Sequence, residues 1–355
     1  MDITKQNQKS GDNSTQIQIM NSNIYTLLSP EAVNQVIGSF TEFARAEVQA
    51  RIVDFSDNYL IPRIKKIENG LEAYKDPAYQ MLLIEASKKA ASTTRTLDYS
   101  MLSELMARRF EKRNNIKANA VISKAVEVID LIDDDSLAAL SLIFFIICDI
   151  KPVSGSICEG LQVLDNIAEK ILSSAHINAE DNKWVDNLET LQALKTYMKG
   201  TIIHLHPFSQ IYTERLDGYT VSGVEKNSEK HLEFETKLKS VGLPVNILVE
   251  HELNNGFIRL NVAYKEQIQN EGNFSEEQRR VLNEIFTESR NASNAPDMQT
   301  VLSSYITAHY KYLSAVRDFW EKLPPLTLMA LGRLIGYMNL KRLVPELPEI
   351  DIERI

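Results

Sequence analysis

At 355 residues, with 44% hydrophobic and 25% charged side chains, the chain has the composition of an ordinary globular protein with room for roughly two or three domain-sized units. A net charge of −9 excludes the broadly basic surface that a general nucleic-acid binder needs, although a local basic patch stays compatible with it. Two cysteines, Cys148 and Cys158, sit in apolar or helical sequence and read as reduced thiols of a cytoplasmic protein, and Met1 to Ser29 lacks the apolar stretch of a secretory leader.

Residues 1–28 form a polar arm. Gly11-Asp12-Asn13-Ser14 are turn formers, and Gln16, Ile17, Gln18 and Ile19 then alternate polar with apolar. Period two predicts a strand. A lone strand cannot satisfy its own backbone groups, so it stays free, pairs with a distant part of the chain, or pairs with another copy. Asp12, Asn13, Ser14, Gln16, Ile17, Gln18 and Ile19 are therefore the candidate assembly residues.

Residues 29–180 read as an N-terminal helical bundle of about seven helices. Ser29-Pro30-Glu31 has the capping chemistry of a helix start, and Val33, Ile37, Phe40, Ala44, Val48, Ile52 and Phe55 continue as one apolar stripe. Ile61-Pro62 is expected to interrupt it. Asp76-Pro77 opens the next helix, Met101 to Phe110 marks another, and Ile116 to Ile132 a third. Leu137 to Cys148 is the longest apolar run, and its twelve residues fall short of the roughly twenty that span a bilayer, so it reads as a buried central helix. Ile157, Leu161, Leu164, Ala168 and Ile171 place one more helix after it.

Residues 181–273 read as a mixed middle segment. A helix is expected from about Trp184 to Ile203, with Leu188, Leu191, Leu194 and Met198 on one face. The polar stretch 217–231 reads as a surface loop or hinge. In the 245–263 region, Asn254-Asn255-Gly256 fits either a hairpin turn or a helix cap, with the balance toward β. In the C-terminal segment, 274–355, Ser275 and Gln278 match a capping box. A helix from about Asp297 to Lys322 is expected, ended by Pro324-Pro325, and a last one from Thr327 to Arg342 carries Gly332 and Gly336 four apart. The fold class is mostly α, with a short β arm and a small hairpin.

Catalytic signatures are absent from the sequence: there is no P-loop, no dinucleotide fingerprint, no His-Glu-x-x-His and no nucleophile elbow. His204 and His206 are the one close histidine pair, a weak metal candidate without a carboxylate or thiol pattern beside it, so neither metal nor cofactor is expected. Asp133-Asp134-Asp135 is better explained as a helix cap than as a cation site. Arg108, Arg109, Lys112 and Arg113 could touch phosphates, but a helix C-terminus attracts basic residues anyway, and no aromatic platform accompanies them.

The Gly11-Asp12-Asn13-Ser14 to Gln18 arm, the stretch from Ile122 to Phe145 and Leu326-Thr327 with Gly332 and Gly336 together resemble an uncharacterised family of bacterial helical proteins. The tail also looks like those of some abortive-infection proteins, and the arm is similar to short amyloid-type motifs of immune proteins. The resemblance implies a role in defence against phage and carries no catalytic residues. The expectation is a non-enzymatic, cytoplasmic protein that associates with itself through the arm and answers a protein trigger. Two other readings stand beside it: a membrane-acting effector that releases helix 137–148 on activation, and a metal-dependent hydrolase or nuclease.

Overall fold

The structure is a computed structural model and describes residues 42–148, 156–175, 177, 183–198, 205–262, 264, 274–290 and 297–347. The arm, the Ser29-Pro30-Glu31 helix start and His204 lie outside the described residues.

The described chain is mostly helical, with two small antiparallel sheets. Helix α1 (Glu42–Asp54) does not stop at Ile61-Pro62. It continues through a π-helical turn, Phe55–Leu60, into α2 (Ile61–Lys65). In that turn the Ile61 amide donates to the Ser56 carbonyl, five residues back. The wider turn leaves Pro62 at the start of the next helical segment, where its missing N–H is not needed.

Side chains cap three of the next helices, two of them, at Asp76 and Asp133, as the sequence foretells. Asp76 caps α3 (Pro77–Ser92) by accepting from the Ala78 amide at 2.9 Å. After α4 (Thr96–Glu111), Asn115 caps α5 (Ile116–Val128). Asp133 caps α6 (Asp134–Ile147) by accepting from the Ser136 amide at 2.7 Å, so the acidic triplet is a helix start. Leu137 through Ile146 are each at most 3% exposed, which makes α6 the centre of the larger core. Helix α7 (Ile157–Leu172) packs on its flank.

Two expected helices are divided. The helix expected over 184–203 ends early: α8 spans Lys183–Thr190. Gln192 turns left-handed (φ 60°), the Ala193 amide reaches back to the Leu188 carbonyl and the Gln192 amide to Glu189. This is a Schellman stop made without glycine. Leu194 then lies in β1 (Leu194–Thr196), and Met198 is exposed instead of sharing a helix face. After the short α9 (Phe208–Arg215) the chain enters the smaller unit described below. The helix expected over 297–322 is two, α12 (Met298–His309) and α13 (Lys311–Lys322), hinged at Tyr310. Tyr310 is buried and donates its hydroxyl to the Cys158 carbonyl at 3.0 Å. Asp165 of α7 accepts from the Tyr312 and Leu313 amides at 2.9 and 2.7 Å, capping α13 from a distant part of the chain.

The smaller unit has its own apolar core. It contains β2 (Val224–Glu225), α10 (Glu229–Ser240), β3 (Leu248–Glu250), β4 (Phe257–Leu260) and α11 (Glu276–Arg290), with sheet order β2-β4-β3. β3 and β4 form the hairpin, Leu248 opposite Leu260, and Gly256 supplies the left-handed turn position (φ 82°). The stretch expected as a surface loop, 217–231, is buried from Gly218 to Val224 and exposed only beyond, because Tyr219, Val221 and Val224 are drawn inward. The capping box forms: the Ser275 amide donates to Gln278 Oε1 at 3.0 Å and the Gln278 amide to Ser275 Oγ at 3.2 Å.

The chain end returns to the larger core. β5 (Leu326–Leu328) pairs antiparallel with β1, so Thr327 is in a strand and the last helix, α14, runs from Ala330 to Leu343. α14 lies on α6, and the two glycines make this possible. A Cβ on Gly336 would stand 2.7 Å from the Leu140 carbonyl oxygen, and one on Gly332 only 2.0 Å from that of Ala193. The expected close helix approach is thus a packing contact inside one protein core.

Candidate functional site

Of the residues singled out for chemistry, His206 is exposed, with Nδ1 3.3 Å from Gln210 Oε1. It precedes α9, at the positive end of that helix's dipole, and not the negative end where an imidazolium would be favoured. Among the described residues no group of three or more His, Cys, Asp or Glu side chains could hold a metal ion. Cys148 and Cys158 form no disulfide. Cys158 Sγ lies 3.0 Å from the Tyr305 hydroxyl.

The basic residues ending α4 behave differently. Fold geometry adds cations to them from two other places. The end of α2 brings Arg63 and Lys66, and the last turn of α14 brings Lys341 and Arg342. With Arg108 of α4, they line a cavity of about 510 Å³ that contains a single carboxylate, Glu104. Five cations against one acid leave the lining strongly positive, on a chain whose net charge is −9.

Four of these cations are held in place. Glu104 lies between two guanidinium groups, accepting from Arg63 at 2.5 Å and facing Arg108 at 3.2 Å. Arg108 also stacks over the Tyr337 ring, 5.0 Å from its centroid. Arg342 donates through Nε and Nη2 to Asn339 Oδ1 at 3.1 and 2.9 Å. Asn339 is buried and is fixed in turn by its bond to Ser141 Oγ of α6, 2.8 Å away. Lys341 donates to the Leu347 carbonyl. Two further hollows share a lining residue with this cleft. Arg108 is shared with a hollow of about 300 Å³ that also has Lys112, Lys117 and Arg333. Arg342 is shared with one of about 310 Å³ that has Arg95 and Asp134. Such an array can hold an anion through direct, charge-assisted hydrogen bonds. Arg108 and Lys112 were legible as candidates. Arg63, Lys66, Lys341 and Arg342 were not, because nothing in the sequence brings positions 63, 108 and 342 together.

A second polar cluster lies at the joint between the two cores. His251 is 4% exposed: its Nδ1 accepts from the Leu253 and Asn254 amides at 3.1 and 3.2 Å, and Nε2 faces the Val221 carbonyl at 2.7 Å. Burial lowers its pKa below the usual imidazole value; the Val221 bond opposes this, Arg259 adds to it and Glu252 opposes it. Arg259 is itself 2% exposed, its guanidinium 3.8 Å from Glu252, whose carboxylate accepts the first amide of α7, Ile157, at 2.8 Å. The unfolded chain binds a proton at His251 near pH 6.5 and the folded chain only at lower pH. The smaller unit should therefore be fully stable above about pH 6.5 and lose stability as pH falls below it. Hydrogen exchange at the β3 and β4 amides, followed from about pH 7.5 down to about pH 5.5, should speed beyond its intrinsic pH dependence in the parent and not in His251→Gln.

A protein-family model described only as ":-like", which states no activity, matches residues 31–354. No curated protein and no solved structure matches the chain significantly.

Proposed function

The chain belongs to the ":-like" family, whose model covers residues 31–354, and we propose that it is a non-enzymatic, cytoplasmic scaffold or sensor of bacterial antiviral defence. Its helical body receives a trigger, and its N-terminal arm pairs strands with the arms of other copies. One observation carries this reading. The family match starts at residue 31, and the arm, with its Gln16-Ile17-Gln18-Ile19 alternation, lies ahead of the matched residues, which supports reading it as an appendage to the body. In-register arms would satisfy each other's backbone groups, and Gln16 and Gln18 would stack into side-chain ladders.

The packing of α6 favours this over the membrane-acting alternative. Among the described residues no helix is long and apolar enough to cross a membrane. Releasing α6 would also strip its buried residues from the centre of the larger core. Light scattering on the full chain and on a chain starting at Ser29 tests the proposal. The full chain should form oligomers and the shortened one should be monomeric, with Ile17→Asp or Ile19→Asp reproducing the loss. Equal masses for all of them would sink the arm's role.

A further inference from the structure

We infer that the cleft lined by Arg63, Lys66, Arg108, Lys341 and Arg342 is a binding site for a small ligand carrying several phosphate groups. The inference concerns the body and stands apart from the arm's role in assembly. Four observations support it.

The first is charge. A positive lining of this density on an acidic chain is opposed by the field of the whole molecule, and it needs a local reason. Helix dipoles account for Lys341 and Arg342 at the end of α14 and for Arg108 near the end of α4. They do not account for three separate segments bringing their cations to one hollow.

The second is preorganisation. Arg108 and Arg342 are fixed by Glu104, Tyr337 and Asn339, so little side-chain entropy is left to lose when an anion arrives. Glu104 anchors Arg63 and Arg108 together, and Glu111 lies 3.9 Å from Arg63.

The third is size. About 510 Å³ falls in the range of pockets that enclose small molecules. The hollow that shares Arg108 brings further cations, Lys112, Lys117 and Arg333, for a second phosphate, whereas Arg95 in the other hollow is paired with Asp98 and Asp134.

The fourth is what the lining lacks. Its apolar members are Met101, Met338 and Pro345, with no aromatic face on which the bases of a single strand would stack. That favours a phosphate-rich small molecule over an oligonucleotide.

The test is calorimetric titration of the full chain with inorganic tripolyphosphate and with orthophosphate. Tripolyphosphate should bind, at least tenfold more tightly than orthophosphate, with affinity falling as salt rises. Lys66→Glu, which changes one exposed side chain, should weaken tripolyphosphate at least tenfold while the melting temperature holds. Arg342→Gln combined with Lys66→Gln should abolish it, and Lys239→Gln, on the surface of the smaller unit, should leave it unchanged. Tripolyphosphate that fails to bind, or that binds Lys66→Glu as tightly as the parent, overturns the inference. So does a labelled single-stranded RNA that binds here and is not displaced by tripolyphosphate, since the site would then serve a nucleic acid. Because none of these readouts involves residues 1–28, the assembly test can fail without this one failing.

Discussion

Gly332→Ala is expected to destabilise the protein by roughly 3 kcal/mol, at the upper end of what overpacking a core costs. In an ordinary helix the same change stabilises by up to about 1 kcal/mol, because alanine is the better helix former. Here the sign reverses. The new methyl would stand 2.0 Å from the Ala193 carbonyl oxygen and 2.9 Å from its carbon. That carbonyl cannot move aside cheaply: it accepts the Met329 amide at 2.9 Å, in the turn that feeds β5 into α14. Relief would require α14 to lift from α6 and β1 together, opening the contact that closes the larger core. Gly336→Ala should be milder, about 1–2 kcal/mol, since its methyl meets the Leu140 carbonyl oxygen at 2.7 Å and no second strand is involved. Urea unfolding reads both, as a lower midpoint at unchanged slope. A Gly332→Ala protein as stable as the parent would mean that the helices do not approach this closely.

Asp98→Ala should cost about 3 kcal/mol, by a different route. Asp98 is 1% exposed and accepts from Arg95 Nε at 3.0 Å and Nη2 at 2.8 Å, and from the Thr93 hydroxyl at 2.5 Å. Burial pushes its pKa up; the bonds from Thr93 and Arg95 pull it back only in part. A raised folded-state pKa means that this site contributes most in acid, and that the contribution falls as pH rises through the folded value. At neutral pH the ionised carboxylate is therefore not a net gain in itself. It is needed because Arg95 is there, held also by the Ile132 carbonyl at 2.8 Å and by Asp134 at 3.1 Å. Removing Asp98 leaves a half-buried guanidinium without its main counter-charge. Asp98→Asn, which retains an acceptor, should lose less than Asp98→Ala. Arg95→Met combined with Asp98→Leu should lose less than the sum of the two single changes, and a double-mutant cycle measures that coupling.

Legibility in the sequence followed the range of the interactions. Helix starts were readable where one side chain does the work, as with Asp76, Asp133 and Ser275 with Gln278, because a cap acts within three residues. The mostly helical class and the hairpin at Gly256 rest on equally local patterns. Misreadings arose where a distant partner overrides local preference. Tyr310 lies within an unbroken helical pattern, yet the chain bends there because its hydroxyl and the cap from Asp165 tie α12 and α13 to α7. Gln192 stops α8 so that Leu194 can face Leu328 in the strand pair, although glutamine is not a usual helix-ending residue. Pro62 fails to break its helix because a π turn precedes it, which no residue type announces. The basic cleft was half legible: the run from Arg108 to Arg113 was visible, and its meaning depended on residues some 45 positions before and some 230 after Arg108, joined only by the packing of α2, α4 and α14.

The pairing of α6 with α14 also bears on how the chain is made. Ser141 and Asn339, bonded across that contact, are 198 residues apart in sequence. A ribosome adding roughly 5–20 residues each second needs roughly 10–40 s to travel that distance. Throughout that interval α6, the most apolar of the described helices, lacks the partner that covers it, and its exposed face is a target for chaperones and for neighbouring nascent chains. Yield in cells should therefore depend on chaperone supply more than the stability of the finished fold suggests, and slowing translation between these two positions should aggravate aggregation.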